Sequence, residues 1–333
     1  MRLFITGIGG FVGSHLARHA LERGDRVSGT YLDTPAKSVA PEEVDQREVD
    51  LLDLPALTAA VAEAAPEAVI HLAGLSHVGD SWNRMADYFR VNVLGTENLL
   101  AVVREAAPEA RVVVASSSEV YGRVPEDLQP IREDRPVDPR TPYALTKAAA
   151  ERLALAGSKR AVIVRSFNLI GPGQSERFAL PAFARQLAAI RRGEQNPVLS
   201  VGNLTALRDF VHVADGAAAY RLLAETGEPG AAYNLATGRA VSIAHALDRL
   251  LAVSGVEARV EQAPERLRPV DLPLLSGNNE RLCALGWAPR HTLDEAVRDL
   301  WRVTLELADD VPAGAGMRGG DSRDGGGSGK PGR

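Results

Sequence analysis

Gly7, Gly10 and Gly13 follow the apolar run Leu3–Thr6 and open an apolar periodicity through Leu16, Ala20 and Leu21. Strand, glycine turn, helix is the reading. Glycines let backbone amides approach a pyrophosphate, and the helix N-terminus adds partial positive charge. The spacing predicts a dinucleotide site built by Gly7, Gly10, Phe11, Val12 and Gly13, the plain alternative being a tight turn with no ligand. An acid twenty residues on, Asp33, is placed to accept adenosine ribose hydroxyls and to repel a phosphate. It lies one or two residues past the apparent strand end, where a solvated loop Asp fits equally, so NAD against NADP stays open.

Strand-like runs recur at Arg26–Tyr31, Ala68–Leu72, Arg111–Ala115 and Ala161–Arg165, separated by helical stretches such as Pro55–Ala65 and Met85–Ala107. Such alternation implies a doubly wound parallel sheet, α/β and Rossmann-type, over residues 1–165. From Ser166 the alternation weakens. Gly171-Pro172-Gly173 and similar loops interrupt helical stretches near Phe178–Arg192, Val213–Glu225, Ile243–Ser254 and Leu293–Leu307. Residues 166–310 therefore read as mainly a smaller, mixed α/β substrate lobe, with a segment near 205–240 returning to the main sheet through Tyr233-Asn234-Leu235. Residues 312–333, rich in Gly with scattered charge, read as a disordered tail.

A chain of 333 residues, 45% hydrophobic, can bury a large core. Its net charge of −5 supplies no basic footprint for nucleic acid. The one cysteine, Cys283, forms neither an internal disulfide nor a thiolate metal cluster, so no metal is expected. The sequence enters its first strand at residue 2 and no apolar run reaches a membrane span, so a cytoplasmic protein is expected, with no membrane partner.

Tyr143 and Lys147, in Thr-Pro-Tyr-Ala-Leu-Thr-Lys, lie four apart and share one helix face. Chance explains this poorly: six Tyr and four Lys in 333 residues give about 0.07 such pairs. Upstream, the apolar strand Val112–Ala115 ends in Ser116-Ser117-Ser118-Glu119-Val120-Tyr121-Gly122, at the sheet edge where doubly wound folds bind ligands. Together these residues read as a carbonyl/alcohol site. Ser117 hydrogen-bonds the substrate oxygen and Tyr143 exchanges its proton as general acid or base. Lys147 is expected to favour the phenolate, drawing the tyrosine pKa toward neutrality, and to reach the nicotinamide ribose.

Glycine turn, Ser-Ser-Ser-Glu-Val-Tyr-Gly and Tyr-x-x-x-Lys together resemble the extended short-chain dehydrogenase/reductase superfamily of nucleotide-sugar enzymes, over roughly residues 1–305. The resemblance implies an NAD(P) cofactor lined by His71-Leu72-Ala73-Gly74, with Asp50 and Leu51 by the adenine. It implies that Asn92, in Val-Asn-Val-Leu-Gly-Thr, supports the active-site backbone and water, and that the chain forms a homodimer through the tyrosine helix and the long helix before it.

Three segments narrow the branch: Arg165-Ser-Phe-Asn168-Leu-Ile-Gly-Pro-Gly-Gln174-Ser-x-Arg177-Phe, Val201-Gly-Asn-Leu-Thr-Ala-Leu-Arg208-Asp-Phe, and Arg266-Leu-Arg268-Pro-Val-Asp271. They resemble reductases that convert GDP-4-keto-6-deoxymannose to GDP-rhamnose. Arg208 and Arg268 can present guanidinium forks to a diphosphate, and Asn168 and Gln174 can reach sugar or ribose hydroxyls, beside Arg177. The middle segment also resembles GDP-mannose 4,6-dehydratases, enzymes with an internally recycled cofactor. Glu119 stands where these carry their extra base, and Ser76-His77-Val78 resembles their loop, with His77 read as lying near the sugar. Against them, Ser117 replaces a Thr, Gly-Pro-Gly-Gln-Ser replaces Pro-Arg-Arg-Gly, and Arg-Asp-Phe replaces Arg-Asp-Trp. The reductase is the preferred expectation, the dehydratase the alternative, and a non-catalytic NAD(P)-binding sensor the distant one, because sensors lack the Tyr or Lys. Leu169 departs from the reductase pattern, which has His there, and leaves the sugar open. The interval from Lys147 to Arg165 is also about one helical turn short.

Overall fold

The five apolar runs become the parallel strands β1 (Arg2–Thr6), β2 (Arg26–Tyr31), β4 (Ala68–His71), β5 (Arg111–Ser117) and β6 (Ala161–Ser166), and the polar segment β3 (Asp45–Glu48) joins them beside β2. The computed structural model describes residues 1–32, 44–267 and 271–309, so the tail expected at 312–333 lies outside the described residues. Three further strands, β7 (Asn168–Ile170), β8 (Val198–Val201) and β9 (Leu207–His212), precede β10 (Ala232–Leu235), which pairs in parallel with β6. The seven-stranded sheet runs β10-β6-β5-β4-β1-β2-β3. Thr6 is in register with both Thr30 and His71, and Ser117 with Ser166, so the strands' C-terminal ends share one edge.

Parallel strands covered on both faces are apolar without alternation. Their side chains still point to opposite faces with a period of two. Leu3, Ile5, Ile70, Val113 and Val162 enter one core with Leu16, Ala20, Tyr220 and Leu223 of the Phe11–Glu22 and Val213–Thr226 helices. Phe4, Val69, Val112, Val114 and Ile163 enter the other, with Leu57, Leu99, Val103 and Ala154. The helices carrying these are Leu54–Ala64, the long 85–106 helix and Pro142–Gly157.

The 85–106 helix departs from the regular helix expected at Met85–Ala107. It is α over Met85–Tyr88, π over Phe89–Leu94 and α again over Gly95–Ala106. A π turn accommodates an extra residue and often marks a functional site. Here it holds the buried Asn92.

The rest of the chain packs a third core from Leu180, Phe183, Leu187, Leu247, Leu250, Val297 and Trp301. Its strands centre on β9, which pairs with β7, with antiparallel β11 (Ala240–Ser242) and with β13 (Leu274–Leu275), while β12 (Arg259–Gln262) pairs with β8. Among the described residues no helix is long and apolar enough to cross a membrane.

Candidate active site

The first turn of the Phe11–Glu22 helix is a cradle built for a bulky anion. Its N-cap is Gly10, no side chain caps it, and no acid sits in its first turn. The opening amides of a helix have no partner within it, so those of Phe11, Val12 and Gly13 are available to a ligand. Gly7 has φ +73°, and a Cβ there would stand 2.9 Å from the Ala73 amide nitrogen. A Cβ on Gly13 would stand 2.2 Å from the Gly7 carbonyl oxygen. The residues present fit a dinucleotide pyrophosphate.

Behind the cradle, polar groups at the strand ends form an ordered chain. The Ala73 amide donates to Thr6 Oγ1 (3.3 Å), which lies 2.7 Å from His71 Nδ1; His71 Nε2 lies 3.0 Å from Thr96 Oγ1, which donates to the Asn92 carbonyl (2.6 Å). Because Thr96 donates to Asn92, it accepts from His71 Nε2–H, and His71 Nδ1 accepts from Thr6. Burial holds His71 neutral, its pKa down to about 3, with the Lys147 charge acting the same way. The Asn92 side chain accepts from the Leu75 amide (2.8 Å) and donates to the Leu75 carbonyl and to Thr146 Oγ1 (both 3.0 Å). It thereby joins the loop after β4 to the tyrosine helix. Leu72 and Ala73 are half-buried and Gly74 exposed along that loop. Of the two residues expected by the adenine, Leu51 is buried and its carbonyl accepts from Asn98, while the Asp50 carboxylate accepts from the Leu52 amide.

Thr141 and Pro142 explain where the tyrosine helix begins. The Thr141 hydroxyl accepts from the Ala144 amide (3.1 Å) and Pro142 takes the first helical position. Tyr143 is thus fixed in the first turn, 8% exposed, with its ring edge-on to Tyr88 (centroids 6.4 Å, 88°). Ser117, also buried, ends β5; its hydroxyl accepts from the Glu119 amide (3.2 Å) and interacts with the Tyr143 phenol. The sequence analysis expected Lys147 to draw the phenol's pKa down, but in the structure it lies above its ordinary value. Burial raises it most and Ser117 only partly opposes this, while Glu119 raises it further. Burial likewise lowers Lys147 to about 8, against the raising effect of Glu151. Desolvation, a property the sequence does not display, is the largest influence on both groups.

The lobe and the loop after β4 together line a cavity of about 610 Å³, within the range of small-molecule sites. Its lining includes His77, Asn168, Gln174, Arg177 and Arg208. Ser117, Tyr143 and Lys147 do not line it, and the exposed Ser76 does not either. The connection runs through the chain: Asn168 lies two residues past β6, and His77 is held by the loop after β4, where Tyr88 Oη donates to its carbonyl (2.5 Å). Asp80, absent from the sequence analysis, lies 2.9 Å from His77 Nδ1 and pairs with Arg177 (2.7 Å). Gln174 Nε2 donates to the Leu169 carbonyl, while its Oε1 is buried without a hydrogen-bond partner. Arg208 differs from the open fork expected of it. It is 5% exposed, pairs with Asp271 (2.6 Å) and donates to the Leu207 and Leu272 carbonyls, as a buried guanidinium requires. The residues Asp33 and Arg268 lie outside the described residues.

One group escaped the sequence analysis altogether. Glu151, a further turn along the Tyr143–Lys147 face, is 4% exposed and meets Arg165 in a two-pronged ion pair. The signal was Arg165 inside the apolar strand Ala161–Ser166, since a charge buried there calls for a partner.

Comparison with known proteins agrees with this geometry. The family model described as GDP-mannose 4,6 dehydratase matches residues 4–300. GDP-6-deoxy-D-mannose reductase of Pseudomonas aeruginosa is 36% identical over 305 residues, 89% of this chain and 95% of that protein. Among solved structures, RMD from Pseudomonas aeruginosa complexed with NADPH superposes with a TM-score of 0.79 at 34% identity, covering 92% of this chain and 99% of that one. The UDP-glucose 4-epimerase of Thermus thermophilus in complex with NAD gives 0.83 at 31% identity, covering 91% and 99%.

Proposed function

Because the chain belongs to the GDP-mannose 4,6-dehydratase family of extended short-chain dehydrogenase/reductases, NAD(P)-dependent nucleotide-sugar enzymes, we propose that it reduces a GDP-4-keto-6-deoxyhexose with NAD(P)H, forming GDP-6-deoxy-D-mannose (GDP-rhamnose). The observation that carries this reading is the buried Ser117–Tyr143 pair at the strand-end edge, one helical turn from Lys147 and on the same edge as the glycine cradle.

When bound, reduced nicotinamide would supply the hydride; the remaining work falls to the chain. Gly7 and Gly10–Gly13 bind the pyrophosphate, with Asp50, Leu51, Leu72–Gly74 and Asn92 completing the cofactor wall. Ser117 orients the carbonyl oxygen, and Tyr143 donates its proton to the developing alkoxide. The raised pKa of the buried phenol suits this direction of reaction, since Tyr143 then enters the cycle carrying the proton it must give. Lys147 stabilises the phenolate left behind. Asn168, Gln174 and Arg177, with Arg208 and its partner Asp271, are assigned to the GDP-sugar, and residues 166–310 mainly to the substrate lobe, apart from the Val213–Thr226 helix and β10, which return to the main sheet.

Supplying the keto sugar with excess NADPH or NADH should consume one cofactor per sugar, and no cofactor oxidation with either would refute the reductase reading. Glu119 at the end of β5 supports a second reading, dehydration of GDP-mannose. GDP-mannose alone would then yield the 4-keto sugar with no net cofactor change. We also assign a cytoplasmic homodimer: Met85, Phe89 and Leu94 on the 85–106 helix and Leu145 and Leu155 on the tyrosine helix are exposed apolar residues on the two helices expected to pair. Sedimentation of a monomer at micromolar concentration would contradict it.

A further inference from the structure

Glu151 lies two turns from Tyr143 and one from Lys147, so all three share one helix face. Its carboxylate has three short contacts: Arg165 Nε to Oε1 (3.0 Å), Arg165 Nη2 to Oε2 (2.8 Å) and Ser116 Oγ to Oε1 (2.5 Å). Ser116 is the residue before Ser117. Arg165 stands in register with Ser116 across β5 and β6. The same guanidinium donates to Tyr121 Oη and to the Glu133 carbonyl (both 3.0 Å) and stacks over the Tyr121 ring. Tyr121 in turn donates to Asn234 of β10 (2.7 Å). Helix, β5, β6 and β10 therefore meet at one buried ion pair directly behind the site.

We infer that Glu151 is a positioning residue of the proposed reaction: through Arg165 and Ser116 it locks the Tyr143–Lys147 face against the end of β5 and sets a carboxylate one helical turn from the Lys147 ammonium. This deepens the reading given above and rests on it. Surface ion pairs contribute little, but this one is sequestered, and removing one partner leaves a buried charge uncompensated. The other ionisable groups around the site are few. His71 on β4 is held neutral, the Tyr88, Tyr220 and Tyr143 phenols keep their protons, and Glu119 faces the phenol. Arg165 is the ion-pair partner of Glu151. Burial works against the Lys147 charge and Glu151 supports it.

The test compares wild type with Glu151→Gln and Glu151→Asp by two measurements. The first is an NMR titration of the cofactor-free protein after ¹³C reductive methylation; with four lysines in the chain, Lys147 is assigned by the signal lost in Lys147→Arg. Glu151→Gln should move the Lys147 midpoint down by about one unit, the effect of losing a neighbouring opposite charge. Glu151→Asp keeps the charge and should hold the midpoint within a few tenths. The second is the pH profile of NADPH oxidation by the keto sugar. Its alkaline limb should follow the same shifts, while both variants lose about tenfold or more in kcat because the clamp is broken or shortened. An unmoved midpoint in Glu151→Gln, or a limb that stays in place, overturns the inference and leaves a purely structural ion pair. Should Glu151→Gln fail to fold, Glu151→Gln combined with Arg165→Met removes both charges, and the midpoint should still fall; constancy there also overturns it. If wild type oxidises no cofactor at all, the reductase reading fails, whereas the titration still judges the role of Glu151.

Discussion

Replacing Asn92 by leucine keeps the branched shape of a 2%-exposed side chain and removes three hydrogen bonds, two to the Leu75 backbone and one to Thr146. At about 1 kcal/mol net for each bond the loss is about 3 kcal/mol, and a Leu75 amide left without an acceptor adds about 1–3 kcal/mol where water cannot reach it. Added apolar burial offsets about 1–2 kcal/mol. The balance is a destabilisation of about 2–5 kcal/mol, a fall in Tm of about 4–20 °C at the slope typical of large domains. The functional effect comes from the same bonds. Asn92 ties the loop bearing Ala73 and Gly74 to Thr146, whose hydroxyl donates to the Tyr143 carbonyl (2.7 Å). A slip of about 1 Å between these elements should lower kcat about a hundredfold. Asn98→Leu is the control: it also buries a leucine in the same helix, but removes one bond, to the Leu51 carbonyl (3.0 Å), far along the chain from Tyr143. It should cost about 1 kcal/mol and leave kcat within about threefold. Thermal unfolding followed by circular dichroism, with steady-state cofactor oxidation on the same preparations, reads both quantities. A folded Asn92→Leu variant with kcat like that of Asn98→Leu would refute the idea that Asn92 couples the loop to the catalytic helix.

Gly13→Ala forces a Cβ to within 2.2 Å of the Gly7 oxygen and 2.8 Å of Ile8 backbone atoms, so the turn must open; stability should fall by about 1–3 kcal/mol and NADPH affinity, measured by fluorescence, at least about tenfold. Unchanged affinity would remove the pyrophosphate from this turn. Tyr143→Phe should fold as wild type yet lose about 10²–10⁴ in kcat, the range for a general acid, and near-normal turnover would exclude its proton. For the wild type, Tyr143 keeps its proton across the neutral range while burial brings Lys147 to about 8. The ammonium is therefore present below about pH 8 and lost above it, so kcat for reduction should be flat on the acid side of that point and decline beyond it; a rate that climbs through pH 9 would contradict the assignment.

The main sheet was legible because strands covered on both sides must be apolar, and the runs at Val112–Val114 and Ala161–Val164 advertise that. Strand β3 was not. Asp45-Gln46-Arg47-Glu48 offers no apolar residue, and it is a strand because β2 presents an edge to pair with and Glu63 holds Arg47 in place. The residues proposed to carry the reaction stood out through their types and spacing, whereas Glu151 looks on paper like any solvated charge on an alanine-rich helix. Its importance depends on what lies across the interface, and only the odd arginine in an apolar strand hinted at that. The expected direction of the Tyr143 shift failed for a related reason: charge can be counted along a chain, but exclusion of water emerges from packing. Arg208 repeats the lesson, since the guanidinium that was to meet a diphosphate had first to find Asp271.

Strand β10 comes from the second half of the chain and closes the outer side of β6. Anyone wishing to exchange the sugar-recognition half for that of a relative, or to express the first 165 residues alone, faces a seam that the chain crosses more than once. A fragment ending at β6 would present a mostly apolar strand with an open row of amides and carbonyls, an invitation to stack with its own copies. It would also strand Tyr121 without Asn234. Successful chimeras should instead carry Ala232–Leu235 from the same parent as β6, with separate junctions before and after it, so that two short grafts replace one long swap.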